Sequence, residues 1–433
     1  MEKETLPTET HTAHVAGGIS ATTVEQRAAP LARTFAALRH RNYRLYFSGQ
    51  LVSLVGTWMQ NVAQGWLAYQ LTGSPLYLGL IGFAASIPVL FLALGAGVLI
   101  DRFPRRNVLI ATQSWAMLLA FVLSALVFTQ LVQPWHIVVL AFLLGVGNAF
   151  DGTARQTFVK DMVGKEDMMN AIALNSALFN VSRIIGPALA GITLAAVGPA
   201  WCFFLNGLSF LAVIFGIIAM QMPAFVAPIH RASIWAEIRE GLSYIRHDQM
   251  VYTLILIVSV SALFGFAYTT LLPAYAQDVL HTDAQGLGLL STASGIGALL
   301  GALLMATLSH SHRKGLTLTI GNLFFPVMLL LLALNQSLPL AMLILMGAGF
   351  GFMIQNTTAN TLVQTHVPDH LRGRVMSVYM LSFFGLSPLG SLQAGLIAQQ
   401  YGTPAGIAFG AAIALVFGLI VLWGVPRVRK LEQ

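Results

Sequence analysis

Charge is scarce in this 433-residue chain: Asp, Glu, Lys and Arg together make up 9% of it, against roughly 25% in soluble domains. With 56% hydrophobic residues beside so few ionic groups, the chain cannot cover a globule with polar side chains, and water is not its main solvent. Cysteine is almost absent. The single Cys202 lies in an apolar run, which excludes a disulfide within the chain, argues against a thiolate metal site, and leaves a small buried hydrophobe as the plain reading. No His, Cys, Asp or Glu spacing of metal-binding type occurs, no phosphate-cradling glycine loop follows a strand, and no ATPase segment is present. No cofactor or metal is therefore expected, and catalysis would need an acid, base or metal cluster that the short connectors cannot house.

Long apolar runs fill the space that charge leaves. A spanning helix takes about 20 mostly apolar residues, and unpaired backbone is too costly in hydrocarbon for any other open structure. Six runs are read at 45–71, 76–100, 108–131, 135–153, 170–197 and 201–220, and six more at 251–279, 286–308, 316–334, 338–364, 375–400 and 404–425. The expected fold class is an all-α membrane protein of twelve transmembrane helices in two six-helix bundles. The expected organisation is a disordered tail (1–34), a first bundle (35–222), a linker (223–250), a second bundle (251–426) and a short tail (427–433). Within the linker, Ile234, Trp235, Ile238, Leu242 and Ile245 recur at helical spacing, which predicts an amphipathic helix at the membrane surface.

Orientation follows from the bases. With these spans every Lys and Arg except Arg183 falls outside the membrane and on one side, while the opposite loops hold none. Cytoplasmic loops are enriched in Lys and Arg, so both termini are expected in the cytoplasm. The net charge of +7 is then topology and not a nucleic-acid patch. The 1–34 head has no apolar core of signal-peptide type.

The halves echo each other. Ala68-Tyr69-Gln70 followed by Tyr77-Leu78-Gly79-Leu80 parallels Ala274-Tyr275-Ala276-Gln277 followed by Gly286-Leu287-Gly288-Leu289, and Gly198-Pro199-Ala200 parallels Gly402-Thr403-Pro404-Ala405. After the second span the chain reads Gly97-Val98-Leu99-Ile100-Asp101-Arg102-Phe103-Pro104-Arg105-Arg106. This resembles the loop signature of the major facilitator superfamily, with Pro104 where that family usually has glycine. The segments Arg41 to Phe47, Asn180 to Gly191 and Val367 to Ser377 look like the enterobactin exporter and drug efflux group. Together the resemblances cover about 35–426.

The resemblance implies a cytoplasmic latch built from Gly97, Asp101, Arg102, Arg105 and Arg106, with Asp151 and Arg155 from the end of the fourth span as its partners. For Arg102 and Arg106 the plainer role is to fix topology. Gly186, Pro187 and Gly191 resemble a reduced antiporter motif, in which proline frees a carbonyl and small residues let helices approach.

Polar residues in apolar spans mark the cavity. Gln60, Asn61 and Gln64 come from the first span, Arg183 from the fifth, Tyr268 from the seventh, and Asn356 and Asn360 from one face of the tenth. Trp58, Trp66, Phe264, Tyr379 and Phe383 could line the same space, although lipid contact or helix packing is the commoner role of such aromatics. A charge inside a span costs about 2.5–3.5 kcal/mol on insertion scales unless met by water or a partner. Arg183 therefore either meets an anionic substrate, takes part in coupling, or forms a structural pair with Asp151 or backbone carbonyls. His310, His312, His366 and His370 fall in loops on the basic side, where solvation suffices for them.

These readings lead to a secondary-active transporter, a monomer in a bacterial inner membrane, that exports a small amphipathic molecule such as a siderophore or drug by alternating access, driven by protons. An uptake symporter is the nearest rival, and a membrane enzyme or sensor a distant one.

Overall fold

The structure, a computed structural model, describes residues 35–100, 102–164, 166–222, 234–308 and 313–429. The tail 1–34, Asp101, His310, His312 and the start of the linker lie outside the described residues. Thirteen helices of more than one turn account for the described chain, and no strand occurs among the described residues. They are α1 (Arg41–Thr72), α2 (Pro75–Ile100), α3 (Arg105–Phe128), α4 (Pro134–Met162), α5 (Met168–Val197), α6 (Pro199–Ile218), α7 (Ile234–His247) and α8 (Gln249–Val279), then α9 (Ala284–Thr307), α10 (Lys314–Leu334), α11 (Leu338–His366), α12 (Asp369–Tyr401) and α13 (Thr403–Gly424).

Eleven of these are long and apolar enough to cross a membrane. The twelfth expected span, α1, has the length, at 32 residues, but carries Gln50, Gln60, Asn61 and Gln64. It packs on α5 and α6 of its own half and reaches α8 and α9 of the other, so protein and cavity, more than lipid, surround its polar side chains.

Helix ends are encoded locally. The Asp248 carboxylate accepts from the backbone N–H of Met250 (2.9 Å) and Val251 (3.0 Å) to start α8, and Asp283 does the same for α9 through Gln285 and Gly286. Gly198 and Gly402 stop α5 and α12 at φ of 87° and 89°, values that only glycine takes without strain, and each helix that follows begins within a residue or two of a proline. The two places are equivalent in the repeat. Within α8 the winding widens to π-helix over Ser261–Gly265 and again over Tyr275–Val279, just past Pro273.

The two halves, α1–α6 and α8–α13, meet along α2 with α12 and α5 with α9. At the end of the molecule whose loops lack Lys and Arg, hereafter the charge-poor end, one apolar cluster runs through both halves, joining Met59, Ala63 and Leu78 to Tyr268, Leu271 and Leu287. At the basic end it divides, with Tyr43, Phe158 and Leu174 in one cluster and Val251, Leu362 and Val375 in another. Polar contacts follow the same division. The Tyr69 hydroxyl donates to Asp278 across the halves, and Ser74 Oγ donates to Gln399 Oε1 at 2.6 Å. The ion pairs described at the basic end stay within a half, such as Arg105 with Asp161 and His366 with Asp248 (3.2 Å), or tie α7 to α12 through Glu240 and Arg374.

Tyr275, the repeat counterpart of Tyr69, is fully buried, and its hydroxyl lies 2.7 Å from the Leu332 carbonyl and 2.8 Å from that of Asn335. The Leu332 carbonyl also accepts from the Asn335 N–H at 3.1 Å, so Tyr275→Phe strands chiefly the Asn335 carbonyl and is expected to cost about 1–3 kcal/mol. A lowered melting temperature of the detergent-solubilised protein checks this, and an unchanged one would show the Asn335 carbonyl to be satisfied by water.

Candidate functional site

The site begins with a close approach. Gly186 on α5 is so near α1 that a Cβ there would stand 2.4 Å from the Trp58 Cβ and 2.8 Å from the Val55 carbonyl. One turn earlier on α5, near its middle, Arg183 lies with its guanidinium carbon 6.0 Å from the Trp58 ring centroid, within reach of a cation–π contact. Both line a cavity of about 360 Å³ between the halves, together with Asn61, Gln64, Phe266 and Ser294. Among the described residues no carboxylate pairs with Arg183. The structural pairing of Arg183 with Asp151 is not found, because Asp151 is fully engaged elsewhere. The cavity therefore offers a half-buried cation on an aromatic face, with no counter-ion among the described residues, a setting for an anionic group joined to a flat ring.

Other expected cavity residues divide. Gln60 turns to α6 and accepts a 2.7 Å hydrogen bond from Asn206. The Tyr268 hydroxyl meets Ser294 Oγ at 3.1 Å, behind the cavity wall. Asn356 and Asn360 do not line the Arg183 cavity. They lie toward the basic end, Asn356 accepting from the Tyr379 hydroxyl at 3.3 Å and Asn360 from Gln364 at 2.5 Å. Trp66 belongs to the shared core, while Phe383 stacks with Phe266 and Phe352. Pro187 and Gly191 carry α5 past α9, where the Gly191 Cα would be 2.8 Å from a Cβ on Gly288.

A second cavity, of about 610 Å³, lies in the first half toward the basic end and shares Asn61 with the first. Its wall holds Asp151. That carboxylate accepts from Gln113 Nε2 (2.7 Å), Thr112 Oγ1 (3.0 Å), Arg155 Nε (3.1 Å) and a second Arg155 nitrogen. The bases expected beside it go elsewhere. Arg105 reaches Asp161 at 2.8 Å and 3.1 Å, a two-oxygen contact at the far end of α4. Arg106 donates to the last carbonyls of α6, Ile217 (3.1 Å) and Ile218 (2.6 Å), and so caps that helix. Arg102 is exposed in the turn after α2, and of Gly97 only the helical backbone is described.

Residues that the sequence reading left out include Asp161, Gln113 and Gln50 in the first half, and Asp278 and Gln399 at the charge-poor contact. For Asp278 a signal was present, since it lies three residues beyond the repeated Ala-Tyr pair, within a span.

The model of a family described as transmembrane secretion effector matches residues 32–433. The chain is 28% identical over 391 residues to the multidrug efflux pump Tap of Mycolicibacterium fortuitum, covering 88% of this chain and 95% of that protein. It is 24% identical to the staphyloferrin A transporter of Staphylococcus aureus (83% and 90% covered) and 25% identical to the enterobactin exporter EntS of Salmonella choleraesuis (91% and 94%). Among solved structures, the nucleoside transporter NupG aligns with a TM-score of 0.67 at 12% identity, covering 89% of this chain and 98% of its own. A bacterial homologue of the iron transporter ferroportin in an inward-facing state aligns with a TM-score of 0.67 at 17% identity (88% and 98%). At such identities the structures establish the fold alone.

Proposed function

The chain belongs to the transmembrane secretion effector family of major facilitator transporters, and on that premise we propose that it exports a small amphipathic anion, a catecholate siderophore or an acidic drug, in exchange for protons. The observation that carries the reading is Arg183, a guanidinium with no carboxylate partner among the described residues, set against Trp58 in the cavity between the halves. The relatives named for drug efflux and siderophore transport support it. The protein is a multi-pass membrane protein. Its basic end faces the cytoplasm of a bacterial inner membrane by the distribution of Lys and Arg, and it works as a monomer. The undivided core at the charge-poor end and the divided core at the basic end then correspond to a state closed to the outside and parting toward the cytoplasm, one station of an alternating-access cycle.

One proton entering down about 100 mV supplies about 2.3 kcal/mol, enough to hold a cargo gradient of about 50-fold. Cells expressing the chain and loaded with a fluorescent catecholate are expected to retain less of it than control cells, and an uncoupler should abolish the difference. Uncoupler-sensitive accumulation in place of depletion would overturn export in favour of uptake.

A further inference from the structure

A proton-driven transporter needs a group that binds the proton on one side and releases it on the other. Among the described membrane-spanning stretches, carboxylates away from the basic surface are few: Asp151 on α4 and Asp278 on α8. Asp278 is exposed at the charge-poor end, where it accepts from the Tyr69 hydroxyl. Asp151 lines the open cavity of the first half. Resting on the proton-driven reading above, we infer that Asp151 takes up and releases the coupling proton, with Thr112, Gln113 and Arg155 as the partners that rearrange when it does.

The network can be satisfied in two ways that differ by one proton. As a carboxylate, Asp151 accepts from Gln113, Thr112 and twice from Arg155. The Thr112 hydroxyl, with a single hydrogen, has two acceptors in range, Asp151 Oδ1 at 3.0 Å and the Leu109 carbonyl at 3.1 Å. When Asp151 gains a proton on Oδ1 it can donate to Thr112 Oγ1, while Thr112 turns its own hydrogen to Leu109, and no heavy atom moves. Gln113 supplies a second acceptor. It is 4% exposed, and its Oε1 is buried without a hydrogen-bond partner, so a turn of the amide presents that oxygen to the protonated acid. An unpaired buried carbonyl is costly, and here its own amide nitrogen already holds Asp151 at 2.7 Å.

Proton occupancy then reaches the rest of the molecule through Arg155. Among the described residues, the charged and titratable groups facing Asp151 are Arg155 on its own helix and Tyr46 on α1. From α3 come the uncharged Thr112 and Gln113, and the α5 residue on the same cavity wall with polar atoms is Asn175. Neutralising Asp151 takes the carboxylate partner from Arg155, so proton binding and release change the contacts of Arg155 on the cavity wall. The four hydrogen bonds donated to Asp151 fit a carboxylate, the form an exporter open to the cytoplasm needs after releasing its proton.

The test uses the full chain in liposomes, without cargo for one readout and with a fluorescent catecholate as cargo for the other. The infrared difference spectrum between acidic and alkaline buffer is expected to contain a protonated-carboxyl band that Asp151→Asn loses and Asp278→Asn keeps. In the transport assay, uphill movement in wild type should collapse with an uncoupler, whereas Asp151→Asn should move the catecholate only downhill, with or without it. Asp151→Asn that still couples while wild type does would overturn the assignment and leave proton drive intact. Wild type indifferent to the uncoupler would overturn proton drive itself. If the Asn variant fails to fold, Asp151→Glu decides: a displaced carboxyl band supports Asp151, and an unchanged one overturns it.

Discussion

Arg183→Met should lower export of an anionic catecholate by about 10- to 100-fold while leaving the protein as stable as wild type or more so. The first part follows from the worth of a charge-assisted hydrogen bond, about 1.5–3 kcal/mol, at about 1.4 kcal/mol per factor of ten. The second part follows from the missing partner. An arginine near the middle of a span costs about 2.5–3.5 kcal/mol on insertion scales, and here the face of Trp58 offsets part of it. Methionine keeps the apolar stem and removes that cost. A residue held for folding shows the opposite sign, because its loss leaves partners stranded. Cargo binding measured by Trp58 quenching, beside the melting temperature of the same variant, separates the cases. A fall in both would mean that Arg183 is structural. Unchanged catecholate export would remove the anion from the proposed substrate class. Arg183→Lys should recover part of the binding, since the ammonium keeps the charge but not the planar fork.

How much of this could be read beforehand depended on the range of the interaction. The apolar runs of α2 to α6 and α8 to α13 were legible because lipid acts on every residue facing it. Helix ends were less so. Apolar character stops near 153 in the fourth span, yet α4 continues to Met162, and α12 begins at Asp369, six residues before the apolar run. Hydropathy marks where hydrocarbon ends, whereas backbone hydrogen bonding carries the helix on into water. That extension decides the partner of Arg105. Asp151 and Asp161 are about 15 Å apart along the helix axis, and a base at the start of α3 meets the outer one, leaving Asp151 to Thr112, Gln113 and Arg155. Spacing of four correctly put Asn356 and Asn360 on one face, but spacing cannot say what that face meets, which is in part Tyr379. The contact of Tyr69 with Asp278 joins residues 209 positions apart. The internal repeat marks Tyr69 and Tyr275 as counterparts, but one hydroxyl crosses between halves and the other closes α10, a difference that only packing decides.

The largest effect on the cycle is expected where the halves touch through glycine. A Cβ on Gly288 would stand 2.7 Å from the Pro187 carbonyl and 2.8 Å from the Gly191 Cα, backbone atoms that cannot swing aside. Gly288→Val must therefore part α5 from α9 at the charge-poor end, and the state closed to the outside is lost. Removing the clasp alone, by Tyr69→Phe, deletes one hydrogen bond to a carboxylate, about 1.5–3 kcal/mol, and only shifts the balance of states. If export proceeds by alternating access, Gly288→Val abolishes it, because a carrier that cannot close outside never admits cargo from the cytoplasm. The buried Cys202 is the sole cysteine, so Cys202→Ala gives a background for a reporter at Ser291, on the cavity wall one turn from Gly288. In that background Ser291→Cys should react with a membrane-impermeant thiol reagent applied from the basic side. With Gly288→Val added, it should react from the charge-poor side instead. Normal export with labelling still confined to the basic side would mean that the α5–α9 contact is not a gate, and that the closed end seen here lies outside the transport cycle.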